Sequence, residues 1–127
     1  MKLKEQILNV EQIKELRELG FDFRKYSSMC VIEAKDRNKY IVDRRLIGLH
    51  IGFMETEVVE YHETMTIGDI IDVLPVRIDE FVLNINRIDV SYYDSKTTNL
   101  FYAYRYRFID SLFDCLVWCI KNKYITL

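Results

Sequence analysis

The chain has little of what breaks or links structure: one proline and four glycines in 127 residues. No stretch is rich enough in either to form a flexible linker, so a single domain over residues 1–127 is expected. It also lacks a charge excess. Its 18 basic and 20 acidic side chains leave a formal net charge of -2. A nucleic-acid binder usually carries a basic surplus or stripe, because phosphate neutralisation supplies most of its non-specific affinity. Nucleic acid is therefore disfavoured as a partner. No run of about 18 apolar residues is present, which argues against a membrane span. Lys2, Lys4 and Glu5 interrupt the first residues where a secretory signal would place its apolar core. A cytoplasmic location is the expectation.

Cysteine is scarce and odd in number, as Cys30, Cys115 and Cys119. Without a secretory signal, such a set reads as reduced thiols. Cys115 and Cys119 stand four residues apart in a predicted helix, hence on one face. No histidine lies near them at ligand spacing, so the pair reads as small apolar filler between helix and sheet and not as the start of a zinc site. Catalytic signatures are missing too. No serine sits in a Gly-x-Ser-x-Gly turn, no cysteine has a histidine in local reach, and Gly48 and Gly52 are too isolated to cradle a phosphate. No cofactor is expected.

What is present is core material: half the residues are hydrophobic and 13% aromatic. That excludes a disordered chain and lets a chain of this length bury roughly two-thirds of its unfolded surface. Asn9 with Gln12 makes a capping-box pattern, Val10, Ile13, Leu16 and Leu19 recur at helical spacing, and Gly20 follows as a C-terminal cap. A helix from Val10 to Leu19 is predicted. Met29–Ala34 and Tyr40–Asp43 read as a hairpin around the turn 36–39. Leu46–Met54 is ambiguous, and Glu57–Tyr61 reads as a short strand near an edge.

Thr66 and Asp69 open a second helix with Ile67, Ile70, Ile71 and Leu74 on its apolar face, and Pro75 stops it. Phe81–Tyr93 alternates, with a change of phase at Asn86-Arg87 that predicts a bulge or a tight turn. Asp94–Asn99 reads as a polar loop. Leu100–Phe108 is the strongest strand pattern, with Leu100, Tyr102, Tyr104, Tyr106 and Phe108 on one face and Phe101, Ala103, Arg105 and Arg107 on the other. Asp110 or Ser111 then opens a final helix with Leu112, Cys115, Leu116, Cys119 and Ile120 as its buried stripe and Lys121 and Lys123 at its negative end. The predicted class is α+β. It is a mostly antiparallel sheet with an N-terminal helix, a short central helix and a C-terminal helix packed on one face.

Two constellations could carry function. The only two histidines, His50 and His62, lie among Glu55, Glu57, Glu60 and Glu63. Glu60 and His62 would point the same way on a strand, and with His50 they could hold a metal for a hydrolase or nuclease, though the plain alternative is a solvated acidic strand. The second constellation is aromatic. Tyr92, Tyr93, Tyr102, Tyr104 and Tyr106, with Arg105 and Arg107, combine residue types enriched at protein-interface hot spots and able to stack on bases. The slightly acidic total favours protein over nucleic acid. The plain alternative is one face packed under helices and the other merely solvated.

Three segments carry a resemblance. Leu8-Asn9-Val10-Glu11-Gln12 through Leu16, Leu19-Gly20 and Ser28-Met29-Cys30 is similar to uncharacterised small proteins encoded by phages and mobile elements of gut Bacteroidales. Thr66-Ile67-Gly68-Asp69-Ile70-Ile71-Asp72-Val73-Leu74-Pro75 looks like their helix-to-proline segment, and Asp110–Tyr124, with Trp118-Cys119-Ile120-Lys121-Asn122, resembles their terminal helix. The motifs are structural, so the resemblance implies a setting and no active residue. In that setting the expected role is a non-enzymatic accessory factor in the cytoplasm of a bacterial host, binding a host or phage protein. A self-assembling structural protein is the further alternative.

Overall fold

Asn9 starts the first helix as its chemistry demands. In the computed structural model, which describes residues 5–94 and 98–127, its side chain accepts from the Gln12 amide at 2.8 Å, and Gln12 Oε1 accepts from the Asn9 amide at 3.0 Å. Helix α1, Val10–Glu18, buries Ile13 and Leu16. It ends in a reciprocal cap: the Phe21 amide reaches the Leu16 carbonyl and the Gly20 amide the Arg17 carbonyl. Gly20 takes φ 88°, a conformation that a side chain would strain.

The chain divides into two compact units, Met1–Asp69 and Ile70–Leu127. In the first, α1 and the one-turn helix α2, Phe23–Tyr26, precede strand β1, Met29–Ala34, and strand β2, Lys39–Asp43. A 3-10 turn at Arg44–Leu46 leads into helix α3, Ile47–Gly52, and strand β3, Val58–Thr64, follows. The three strands are antiparallel in the order β2-β1-β3. Cys30, Val31, Ile32 and Ala34 of the central strand are all buried, so β1 is covered on both faces. The ambiguous stretch Leu46–Met54 is thus mostly helical. The acidic strand lies at an edge as expected, though it runs on to Thr64, whose hydroxyl donates to the Leu8 carbonyl at 2.8 Å.

Helix α4, Ile67–Val73, begins on the predicted capping box. The Asp69 amide donates to Thr66 Oγ1 and the Thr66 amide to Asp69 Oδ2, both at 3.0 Å. Asp69 Oδ2 also accepts from the Ser28 amide and hydroxyl at 3.1 and 2.7 Å. Leu74 alone separates the helix from Pro75, because the residue before a proline is pushed out of the helical region.

The second unit is a meander with a helix on it. Strands β4, Arg77–Ile78, β5, Phe81–Asn86, β6, Asp89–Tyr93, and β7, Asn99–Tyr104, form an antiparallel sheet in chain order. The phase change at Asn86-Arg87 is a tight turn, with Asn86 opposite Asp89 and Arg87 at φ 58°. Helix α5, Phe108–Lys121, packs on β6 and β7. It buries the predicted stripe of Leu112, Cys115, Leu116, Cys119 and Ile120, together with Ile109. Trp118 stacks on Phe101 with ring centroids 4.8 Å apart.

The α+β class and the antiparallel pairing hold, but the strands form two sheets, because every ladder stays on its own side of α4. The polar loop is closed by the Asp94 amide on the Thr98 carbonyl and the Thr98 amide on Asp94 Oδ1, both at 3.0 Å. Residues 95–97 of that loop lie outside the described residues.

The strand predicted to reach Phe108 stops at Tyr104. The Arg105 amide leaves the ladder for Ser111 Oγ at 2.9 Å, and the same hydroxyl donates to the Ile88 carbonyl at 2.7 Å. The helix accordingly starts earlier than predicted, with Arg107 as its N-cap residue. Ser111 is therefore not a cap but a buried tie between two turns.

Candidate functional site

Register decides which tyrosines face outward. Side chains directly opposite one another in an antiparallel pair share a face. Tyr92 opposes Leu83 and Phe101, and Val90 opposes Ile85 and Ala103. This is the face under α5, and Tyr92 is fully buried in it. Its hydroxyl donates to the Pro75 carbonyl at 2.7 Å, and its ring lies beside Trp118. Tyr92 was a surface candidate by sequence, and the structure corrects that. It is a core residue with a satisfied hydroxyl, and burial raises its pKa.

The opposite face is open apart from Ser91, which is buried. Ser91 opposes Asn84 and Tyr102, Asp89 opposes Asn86 and Tyr104, and Tyr93 opposes Val82. Tyr102 is 54% exposed and Tyr104 63%. Tyr102 is anchored, since its hydroxyl donates to Asp89 Oδ2 at 3.2 Å. Partial desolvation and the Asp89 charge raise its pKa. Tyr106, which the sequence places on the same strand face, lies beyond the strand in the turn before α5 and is 96% exposed. Tyr93, a member of the tyrosine cluster, and Val82, which the sequence did not single out, join the open face. Their signal was the alternation itself: once Tyr92 is assigned to the core, its neighbour must point out.

The arginines do not extend a cationic stripe. Arg105 donates to Asp114 Oδ2 at 3.1 Å, and Arg107 forms a two-pronged pair with Asp110 at 3.0 and 3.1 Å. Each is matched by a carboxylate on the first turns of α5. The surface is therefore aromatic and nearly neutral, a character suited to protein contact more than to phosphate.

The histidine–glutamate constellation divides. His62 is buried on β3, with Nδ1 3.2 Å from an Arg17 guanidinium nitrogen and Nε2 2.9 Å from Glu60 Oε1. Because guanidinium only donates, the Arg17 contact uses Nδ1 as acceptor when the ring is neutral, which leaves Nε2 facing Glu60 at short distance though off the ideal hydrogen-bond line. His50 instead lies on α3 against Tyr40, with ring centroids 6.0 Å apart. The proposed set of His50, Glu60 and His62 is not gathered. Among the described residues, no three His, Cys, Asp or Glu side chains are placed to hold a metal ion.

Glu60 carries the pH dependence of this cluster. The adjacent His62 imidazole, 2.9 Å away, holds its carboxyl below the ordinary 4.5, with Lys14 adding to the effect. A carboxyl depressed in the folded state stabilises fully above its unfolded pKa and loses that contribution as pH falls through the folded value. Acid titrations of wild type and Glu60→Gln should therefore differ most above pH 4.5 and converge as the pH drops below it. A constant gap across that range would remove the pair from the account.

The thiols are all buried. Burial pushes the Cys30 thiol up, and a hydrogen bond to Cys119 together with burial pushes Cys115 up. Neither is an available thiolate nucleophile. Cys119 sits 3.9 Å from the Tyr92 hydroxyl between helix and sheet, the filler position that the helical spacing indicated.

No family model, curated protein or solved structure matches this chain. Among the described residues, no helix is long and apolar enough to cross a membrane.

Proposed function

We propose that this chain is a non-enzymatic protein-binding factor that acts through the open tyrosine face of its C-terminal sheet. The observation that carries this reading is the placement of Tyr102, Tyr104 and Tyr106 in solvent on a scaffold clamped from behind by α5. Tyrosine presents large, stiff, amphipathic area with few rotatable bonds, so little entropy is lost when a partner covers it. The Tyr102–Asp89 hydrogen bond orders one ring beforehand, and preorganisation of this kind raises affinity. A role as an accessory factor of a phage or mobile element, meeting a host or phage protein in the bacterial cytoplasm, is part of the proposal. It rests on the resemblance of the capping and helical segments.

The test is affinity capture from a bacterial host lysate with nuclease added, followed by titration of the purified partner against variants. Tyr104→Ala is expected to weaken binding about 10- to 30-fold, the loss typical of an interface hot spot. Arg105→Ala should act in the same direction by releasing the turn that presents Tyr106. Unchanged affinity in both variants would take the open face out of the proposal, and capture abolished by nuclease would redirect it to nucleic acid.

A further inference from the structure

Exposed strand edges invite pairing with another chain, and folded proteins defend them with charge, short length or bulges. The edges in this chain are unequal. In the first unit, β2 is bounded by Lys39 and Asp43, and β3 carries Glu60 and Glu63. In the second unit, β4 spans only Arg77 and Ile78. At the other end of that sheet β7 reads Asn-Leu-Phe-Tyr-Ala-Tyr, with no charge and no proline. A register shift opposite Tyr92 and Tyr93 leaves Phe101–Tyr104 as its regular run. That run pairs with β6 on one side and has no strand on the other among the described residues.

We propose that β7 pairs antiparallel with β7 of a second copy of this chain, about a two-fold axis perpendicular to the sheet. The two sheets then continue as one and their tyrosine faces merge. This deepens the protein-contact reading and rests on it for the role of that face. Three features select a second copy. First, an incoming strand must itself be unprotected and uncharged, and an identical strand meets that condition by construction. Second, the α5 face must stay on the α5 side, which permits only registers that pair residues of like parity.

Third, one such register fits the side chains. With Tyr102 opposite its counterpart, each Phe101 faces the partner copy's small alanine at position 103, so large and small alternate on the covered side. The two Tyr102 rings form an aromatic cross-strand pair on the open side. Centring on Phe101 would set two phenylalanines against each other under the helices. Centring on Ala103 would bring Phe101 against the partner copy's arginine at position 105.

Light scattering across a concentration series tests this. The mass should rise from the 15.3 kDa of one chain toward twice that value. Tyr102→Lys, which sets like charges directly opposite each other, should hold the chain monomeric with an unchanged circular dichroism spectrum. Tyr102→Cys should form a self-disulfide on mild oxidation, and Tyr104→Cys should not. A mass that stays monomeric to the solubility limit, or a Tyr102→Lys variant that associates like wild type, overturns the pairing. Partner capture distinguishes the two readings: a monomer that still captures its partner leaves the open face standing without the dimer. A dimer that captures nothing does the reverse.

Discussion

Leu116→Ala is expected to lower the stability of the C-terminal unit by about 2–5 kcal/mol, the cost of deleting a fully buried leucine. Leu116 is completely buried on α5, in the same stripe as Leu112, Cys119 and Ile120. The lost transfer free energy is only part of this cost. The alanine also leaves a void that the neighbours cannot fill, because α5 lies against β6 and β7 and Trp118 is already stacked on Phe101. Urea unfolding should show a lower midpoint with little change in slope, and hydrogen exchange should accelerate first in β6 and β7. Lys121→Ala on the same helix is the contrast: its side chain is exposed and its effect should fall within about 0.5 kcal/mol. A Leu116→Ala cost below about 1 kcal/mol would mean that the stripe is not the core of this unit.

The elements with local causes were legible in the sequence. Asn9 and Gln12 cap α1 reciprocally, Thr66 and Asp69 do the same for α4, and the α5 stripe lies where its spacing put it. In each case the signal and the interaction lie within one or two helical turns. What was not legible depends on distant partners. Alternation carried the last strand on to Phe108, because Tyr106 and Phe108 keep the pattern of Tyr102 and Tyr104. The actual end is set by Ser111 capturing the Arg105 amide, a contact that no periodicity contains. The split into two sheets has the same origin: alternation names strands but not their neighbours. The helix Ile47–Gly52 was masked by Gly48 and Gly52, which lower helical propensity without forbidding it.

The site was half legible for a related reason. Sequence identified a tyrosine cluster but could not say which face α5 covers, so Tyr92 stood beside Tyr102 as an equal. The pairing of Tyr92 with Leu83 and Phe101 separates them. Glu60 and His62 did meet, because same-face proximity on a strand is a local property. His50 did not join them, because its place depends on how α3 packs against β2.

Ser111→Ala should cost about 1–3 kcal/mol, more than the loss of one hydroxyl suggests. The Ser111 side chain is completely buried, and its oxygen both accepts from the Arg105 amide and donates to the Ile88 carbonyl. Alanine would leave those two backbone groups without that partner, and a buried unsatisfied group costs about 1–3 kcal/mol. Part of this is relieved if water enters, which keeps the expected loss below the full sum. The effect should also be positional. Ser111 fixes the turn that carries Arg105, Tyr106 and Arg107, and it ties that turn to the β5–β6 hairpin. Amide exchange at Arg105 should therefore quicken by more than global unfolding explains, and partner affinity should fall even where the variant remains folded. Threonine keeps the hydroxyl and should recover part of both. If Ser111→Ala instead matches wild type in stability and in Arg105 exchange, the end of β7 is set by something other than this bond.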